Sequence, residues 1–517
     1  MNLIENTLIG LIPLTTLIFS FTMPILHYVV KGSRRVIELT SLIASLIPLI
    51  MSIELVKLAF STDEIIVYRF GGWPPPVGIV YMLDKLNSLL VFTTTFLMFL
   101  ITIYSNKYLA EDKSLAWYYT LYFGLETGLL GVLLTGDVFN LFVMIEVTSV
   151  ASYSLVMFYR HRGDSIASGL KYAFIGSLGT TIYFFALGLI YATFGTFNYF
   201  DLTAKTHGYT YPYSGQPIGD VLFTTGIVLV LITWTFTIKA GVFPNHFWLP
   251  DAHPAAPTPI SAILSGLVVN VGAYAMFRYI YTIYGGNLLN IELNNIVNIV
   301  SNILLNIGLI SAIIGSILMN FQRDVKRIIA YSTVMHLGYL FMCIGARNNY
   351  GIESFILHII NHSIAKATLF LSTGVFIYTT GSRLLEKLGG LASKHILATL
   401  ATILSALNLA GIPPLPIFYS KLLLFYATFD ISIAYGIKII LTSAIALIAY
   451  VKIIYTLIFG RIYVTDLKKT PLAMNITLLS LLIVMILITF GINIIIADFI
   501  EKTALQISSI ENYMLKP

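Results

Sequence analysis

About fourteen apolar runs follow one another along this chain, at roughly 7–30, 37–60, 80–104, 115–134, 138–158, 171–194, 219–242, 259–283, 297–319, 328–345, 352–378, 397–428, 434–458 and 471–496. Each has close to the ~20 residues that a helix needs to cross the hydrocarbon core of a bilayer. Such a segment must satisfy its own backbone hydrogen bonds in lipid, so a succession of them folds as a helical bundle. A length of 517 residues would otherwise suggest about three soluble domains. Composition closes that alternative: 57% of residues are hydrophobic, 10% are charged and mean hydropathy is +0.86, whereas soluble chains carry ~25% charge. The fold class read from this is an all-α polytopic membrane protein. No short signal-peptide pattern precedes the first run, which reads as a retained helix.

Two runs are interrupted. The seventh, within T-W-T-F-T-I-K-A-G-V-F-P-N-H-F-W-L-P-D-A-H-P from Thr233 to Pro254, carries Lys239 and breaks at Pro244; the eighth resumes after Pro259. The twelfth contains A-G-I-P-P-L-P from Ala410 to Pro416, which no continuous helix tolerates. Alternate loops also differ in charge. Those on one side hold sixteen Lys and Arg, from Lys31 and Arg34 through Arg160 and Lys326 to Lys469, against five on the other, Arg69, Lys205, Arg347, Lys502 and Lys516. Lys and Arg accumulate on the cytoplasmic side, so the surplus of +6 reports orientation, with both termini outside. A nucleic-acid patch would need clustering on a soluble face.

Runs four to eight, with the break at Lys239, are echoed by runs nine to thirteen, with the break before Lys421. An odd number of crossings per unit requires consecutive units to be inverted, the arrangement of ion transporters with discontinuous helices at mid-membrane. The expected organisation is 1–112 for the first three helices, 113–285 and 286–460 for two inverted five-helix repeats, and 461–517 for the last helix and tail. The Asn-rich stretch 286–298 reads as the linker between the repeats, and 195–219 as a small outside cap.

A charged group at a span centre costs ~2.5–3.5 kcal/mol on insertion scales, so each needs a partner, a wet cavity or a task. Glu146 and Lys239 form a candidate pair. Two readings stand: a static pair that fixes packing, or a switch in which the carboxylate holds the proton on the lysine until it moves away and desolvation releases it. His336 reads either as a hydrogen-bonded core residue or as a relay, since imidazole exchanges protons near neutral pH. His358, His362 and Lys366, spaced by four, share one helix face. No carboxylate or cysteine joins them, so a wetted stripe of proton-accepting groups is more economical than a metal site. His246 and His253 flank the first break, with Asp251 as a cap, and match no zinc spacing. Asp84 and Lys85 read as interfacial structure, and Glu126 is left without a role. The single cysteine, Cys343, excludes a disulfide framework and an iron–sulfur site and reads as a small core residue.

Together, G-D-V-F-N-L-F-V-M-I-E (136–146), K-A-G-V-F-P-N-H-F-W-L-P-D-A-H (239–253), Q-R-D-V-K-R-I-I-A-Y-S-T-V-M-H-L-G-Y (322–339), H-S-I-A-K-A-T-L-F-L (362–371) and L-A-G-I-P-P (409–414) resemble the antiporter-like subunits of the complex I superfamily. Within it, F-G-G-W-P-P-P-V-G-I-V (70–80) and T-G-D-V-F-N-L-F-V (135–143) look most like the D-type subunit of Mrp sodium/proton antiporters and its relatives in archaeal membrane-bound hydrogenases. The resemblance implies fourteen helices, two inverted half-channels with broken seventh and twelfth helices, and a polar axis at mid-membrane. Glu146 matches the glutamate of the fifth helix, Lys239 the lysine of the seventh, His336 with His358 and His362 the central relay, and Lys421 the ionisable group of the twelfth. Two positions depart. Asn270 stands where relatives have a lysine in S-G-x-x-x-K-x-G-x-Y, and Ile417 where a glycine precedes the phenylalanine of the second break.

The expected function is proton or sodium/proton translocation by a subunit of a redox-driven or Mrp-type complex in the cell membrane. Its partners would be other membrane subunits, antiporter-like, hydrogenase-like or quinone-reductase-like, and it would hold no cofactor, metal or redox centre of its own. The alternative is a structural antiporter-like subunit whose conduction is impaired, because the Asn270 amide cannot carry a proton at neutral pH.

Overall fold

The computed structural model describes residues 3–211, 214–286, 288, 290–464, 467–491 and 496–514, with side chains from Asn6 onward. Lys516 and the end of the fourteenth apolar run lie outside the described residues. The elements are α1 (Leu3–Val29), α2 (Arg34–Phe60), β1 (Ile66–Arg69), β2 (Val80–Leu83), α3 (Lys85–Tyr108), α4 (Leu115–Leu134), α5 (Val138–Val156), α6 (Gly163–Phe194), α7 (Tyr199–Thr206), α8 (Val221–Ala240), α9 (Leu249–Ala255), α10 (Thr258–Ile263), α11 (Asn270–Phe277), α12 (Ile291–Asn320), α13 (Val325–Ala346), α14 (Asn349–Thr380), α15 (Ile396–Ala410), α16 (Pro416–Phe429), α17 (Ile433–Phe459), α18 (Leu472–Gly491) and α19 (Ala497–Ser508). Twelve helical segments are long and apolar enough to cross a membrane. α4 and the interrupted pair α15/α16 bring the crossings to the expected fourteen. The chain is an all-α polytopic membrane protein with one small addition, an antiparallel hairpin that pairs Ile66 with Leu83 and Arg69 with Val80.

The six basic loops meet at one end of the bundle. Arg34 donates to the carbonyls of Asn106, Leu109 and Asp112, Lys468 pairs with Glu111, and Arg383 pairs with both Asp324 and Asp164. The cation-poor connections meet at the other end, where Gln506 accepts from the Lys85 backbone and Ser508 bonds Asn349. Three expectations change. α12 begins at Ile291 behind an Asn290 cap, so most of 286–298 is helix and not linker. The cap region folds inward, since α7 is buried and holds a fully buried Lys205–Asp201 pair. Lys326, expected in a cytoplasmic loop, is 2% exposed and donates to the Ala256 carbonyl and Ser261.

The crossing Thr258–Ile283, α13 and α14 are almost wholly enclosed, whereas α1, α2, α17 and α18 show most of their apolar surface outward. Lipid is as apolar as leucine, so the enclosed helices gain from close backbone approach at small residues. α12 and α13 do this along a seven-residue repeat. A β-carbon on Gly308 would lie 2.5 Å from the Gly338 carbonyl oxygen, one on Gly345 2.5 Å from that of Ser301, and one on Gly315 2.8 Å from that of Tyr331. Gly308→Leu should cost at least the ~1–3 kcal/mol of an overpacked core and lower the unfolding temperature of the protein in detergent. Gly188→Leu, with open space around it, should leave that temperature unchanged; equal effects would contradict the packing argument.

Candidate functional site

α8 stops at Ala240 because Gly241 adopts φ +63, the left-handed conformation glycine takes most readily at a helix end. A single 3₁₀ turn, Asn245–Trp248, then leads into α9. The interruption therefore starts before Pro244. Lys239 sits in the last turn of α8, where the negative end of the helix dipole favours an ammonium. Its Nζ donates to Ser149 Oγ at 2.8 Å and to Tyr153 OH at 3.5 Å, both on α5. Tyr172 stacks on Trp248 at 4.0 Å, and the Trp248 indole donates to the Ile238 carbonyl, tying the turn back onto α8. On the other flank, a β-carbon on Gly272 would meet the Ala240 nitrogen at 2.6 Å, so α11 presses directly on the end of α8.

The expected Glu146–Lys239 ion pair is not formed within 4 Å. Glu146 is near enough to attract Lys239, but it is half-buried on a stripe with Phe139, Val143 and Val150 that are 37%, 37% and 57% exposed. It faces outward from the chain, and the lysine turns instead to hydroxyls one and two turns further along α5.

The second break repeats the logic with different donors. α15 ends at Gly411, φ +82, and Asn408 Oδ1 accepts the Ile417 backbone N–H at 3.0 Å, pinning the start of α16. Lys421, on α16, reaches back so that Nζ donates to the carbonyls of Leu409 (3.2 Å) and Ala410 (3.0 Å) and to Ser443 Oγ (3.0 Å). The last carbonyls of a helix have no intrahelical donor, and here the ammonium supplies one. A β-carbon on residue 411 would lie 2.9 Å from Lys421 Cδ, so glycine is needed for space as well as for φ.

Between Lys421 and α14 runs a chain of buried groups. The Lys421 ammonium lies 5.2 Å from the centre of the Tyr339 ring. Tyr339 stands edge-on to His358 at 5.9 Å and to His336 at 5.8 Å. His336 Nδ1 and His358 Nε2 are 3.1 Å apart, His358 Nδ1 is 2.8 Å from Ser420 Oγ, and Tyr450 OH is 3.4 Å from His336 Nε2. Ser420 Oγ also lies 2.9 Å from the Ile417 carbonyl, and with that bond made one set of neutral tautomers satisfies the whole chain: His358 Nδ1–H to Ser420, His336 Nδ1–H to His358, and Tyr450 to His336. His362 follows, 5.4 Å from His336 by ring centres, with neither ring nitrogen hydrogen-bonded among the described residues. One turn on, Lys366 Nζ donates to Ser332 and to the Ile329 carbonyl. The face shared by His358, His362 and Lys366 is thus one buried polar row with His336 beside it.

Asn270 bonds α14 on the face next to this row, and not Lys239. Its Nδ2 donates to the Gly266 carbonyl (2.7 Å) and to Ser363 Oγ (2.9 Å) on α14, while Oδ1 has no partner among the described residues. No hydrogen bond among those residues links Lys239 to Asn270 or Lys366.

Other expectations are corrected. Asp251 is not a cap; it bridges Lys171 on α6 (2.7 Å) and Arg327 on α13 (2.8 Å). His253 stacks on Phe370 at 5.1 Å. Asp84 and Lys85, read as interfacial structure, take separate partners: Asp84 caps α3 and binds Arg278 at 2.6 Å, both fully buried, and Lys85 binds Asp63. That pairing holds Asp63, outside the membrane, below the usual carboxylate range. Sequence reasoning missed Arg278, although an arginine inside A-M-F-R-Y-I-Y was the signal. Glu126 is fully buried, with both oxygens unpartnered among the described residues.

Two interrupted helices, each with a lysine held at the C-terminal end of its first half and a buried histidine row beyond the second, define an antiporter-like subunit of an ion-handling membrane complex. The chain belongs to the NADH:quinone oxidoreductase/Mrp antiporter transmembrane family, whose model matches residues 135–446. It is 32% identical over 359 residues to the N-type subunit of the NADH-quinone oxidoreductase of Desulforudis audaxviator, covering 68% of this chain and 67% of that one. It is 30% identical over 429 residues to the D-type subunit of the Na(+)/H(+) antiporter of Bacillus subtilis, covering 83% and 82%. Among solved structures, a chain of the membrane-bound sulfane sulfur reductase, an archaeal respiratory membrane complex, superposes with a TM-score of 0.88 at 25% identity over 98% of both chains. A chain of the Mrp complex from Dietzia shares the fold, with a TM-score of 0.85 at 23% identity over 99% of both.

Gly411→Ala should push Lys421 off its carbonyls and lower ion flux through the assembled complex about tenfold, at ~1–2 kcal/mol of backbone strain. Gly381→Ala carries the same strain at φ +70 with open space around it, and flux should stay at the wild-type level. Equal flux in the two variants would show that the space at residue 411 is not what matters.

Proposed function

We propose that this chain moves protons, or exchanges sodium for protons, across the cell membrane as one subunit of a larger complex. The observation that carries the reading is the buried row of ionisable groups from Lys421 past Tyr339, His358 and His336 to His362 and Lys366. Intramembrane ionisable groups cost enough that a row of them calls for a task, and a histidine pair in hydrogen-bond contact at 3.1 Å can pass a proton by exchanging tautomers. In this reading Lys421 and Lys239 are the loading groups of two half-channels, 286–460 and 113–285, flanked by 1–112 and 461–517. Each lysine holds its proton while carbonyls or hydroxyls solvate it, and gives it up when they withdraw. Glu146 acts on Lys239 by attraction across a gap wider than an ion pair. Its outward position suits a neighbouring subunit of the antiporter-like, hydrogenase-like or quinone-reductase-like kind. The relatives are themselves named as antiporter and oxidoreductase subunits, which supports membrane partners.

A second reading, a structural subunit with impaired conduction, draws on Asn270, an amide that bonds α14 while Lys239 has no hydrogen-bonded continuation toward it. The two separate cleanly. Lys239→Ala, Lys421→Ala and Glu146→Ala should each lower ion flux in proteoliposomes of the purified complex at least tenfold, while subunit composition stays unchanged; intact flux in all three would establish the structural reading.

Orientation follows from the basic end facing the cytoplasm. A cysteine at the exposed position of Lys468 should react with an impermeant thiol reagent only from the cytoplasmic side, and one at Lys502 only from outside. The reverse result would turn the topology over.

A further inference from the structure

Beside the row, α3, α4 and α11 enclose polar groups that the proposed route does not use. At mid-membrane a cavity of about 30 Å³ lies between α3, α4, α11 and α14; its walls are mainly leucine, valine and isoleucine, and its polar groups are Thr93, Thr94, Asn270, Tyr274 and Ser363. This exceeds the ~10–15 Å³ that a water needs by the same measure. Asn270 borders it, 7% exposed and with Oδ1 unpartnered among the described residues. Toward the outer end the polar groups continue on two facing helices. Along α11 and at the residue just past its end they recur every fourth residue, Asn270, Tyr274 and Arg278; opposite them are Thr94, Asn87 and the cap Asp84. Tyr274 accepts from Arg278 Nε at 2.9 Å and donates to the Leu133 carbonyl at 2.6 Å. Arg278 binds Asp84, and Tyr513 closes the group by donating to Asp84 at 2.8 Å. On the inner side, Glu126 lies one turn before Leu129 and two before Leu133, on the same face of α4, with neither carboxylate oxygen satisfied among the described residues.

We propose that these groups form a second, outward water branch, leading from Glu126 past the Asn270 cavity and Tyr274 to an Arg278–Asp84–Tyr513 gate at the outer end. It rests on the translocation reading and deepens it. Asn270 cannot hold a proton, but its free Oδ1 can order water, and Glu126 supplies an ionisable group that the departure at 270 removes. A buried carboxyl with no partner leaves its desolvation cost uncompensated, and access to water in an open state relieves it. The fully buried Arg278–Asp84 pair keeps the branch shut in the arrangement described, and it lies where the branch would meet the outer surface.

The test is solvent access, which does not depend on flux. In the full complex, with Cys343→Ser to remove the native thiol, Thr94→Cys should react with silver ion added outside at least tenfold faster than Leu97→Cys, a fully buried position away from the cavity. Reaction no faster than at Leu97→Cys, or equally fast from the cytoplasmic side, would overturn the branch. Glu126→Gln, an isosteric change, should lower ion flux at least fivefold while Thr94→Cys keeps its reactivity; unchanged flux would remove Glu126 from the branch. If Lys239→Ala and Lys421→Ala left flux intact while Thr94→Cys still reacted from outside, translocation through the row would fall and the water branch would stand.

Discussion

A helix that stops inside a bilayer leaves carbonyls with neither an intrahelical donor nor water. The grip of the Lys421 ammonium on the carbonyls of Leu409 and Ala410 answers that constraint, and much of the surrounding architecture serves it. Gly411 supplies the left-handed turn and the space for the side chain. Asn408 anchors the restart of the helix through the Ile417 backbone. The Ile417 N–H is thereby part of the joint. At the other break the cation lies inside the terminating helix, and Ser149 and Tyr153 of a neighbour take the place of carbonyls. The two lysines are therefore alike in position but not in solvation. One is held mainly by backbone carbonyls, which withdraw only if the helix ends move, and the other by hydroxyls, which rotate on their own.

Much of this was legible along the chain. Proline and glycine inside apolar runs marked both breaks to within a few residues, because their effects on helix geometry are local. The spacing of His358, His362 and Lys366 revealed a shared face for the same reason. The alternation of basic loops held because topology is a matter of counting crossings. What failed to show was anything set by contacts between distant segments. Arg278 and Asp84 are 194 positions apart, and neither neighbourhood names the other. Asp251 looked like a cap because its local sequence suits one, yet Lys171 and Arg327 arrive from two other helices. Lys326 was counted with the surface charges because it follows a turn, and only the fold encloses it.

Glu146 shows the same limit in a sharper form. The residues immediately on either side of it are apolar, so periodicity could not say which way it points. The answer lies in which face of α5 the rest of the bundle leaves uncovered. Glu126, on the adjacent helix α4, is its opposite: one glutamate is enclosed on all sides, and the other is turned toward whatever lies next to the chain.

That outward carboxyl also bears on how the protein is made. A solitary copy in the bilayer displays Glu146 among lipid-facing side chains, at a cost of the order of the ~2.5–3.5 kcal/mol that insertion scales assign to a mid-membrane charge. A neighbour that covers the stripe and offers the carboxyl a hydrogen-bond donor or a cation offsets that cost. The orphaned chain is thus the costlier species, distinguishable from the assembled one by a single charge at mid-depth. The difference between the covered and the uncovered chain is written into the surface of α5.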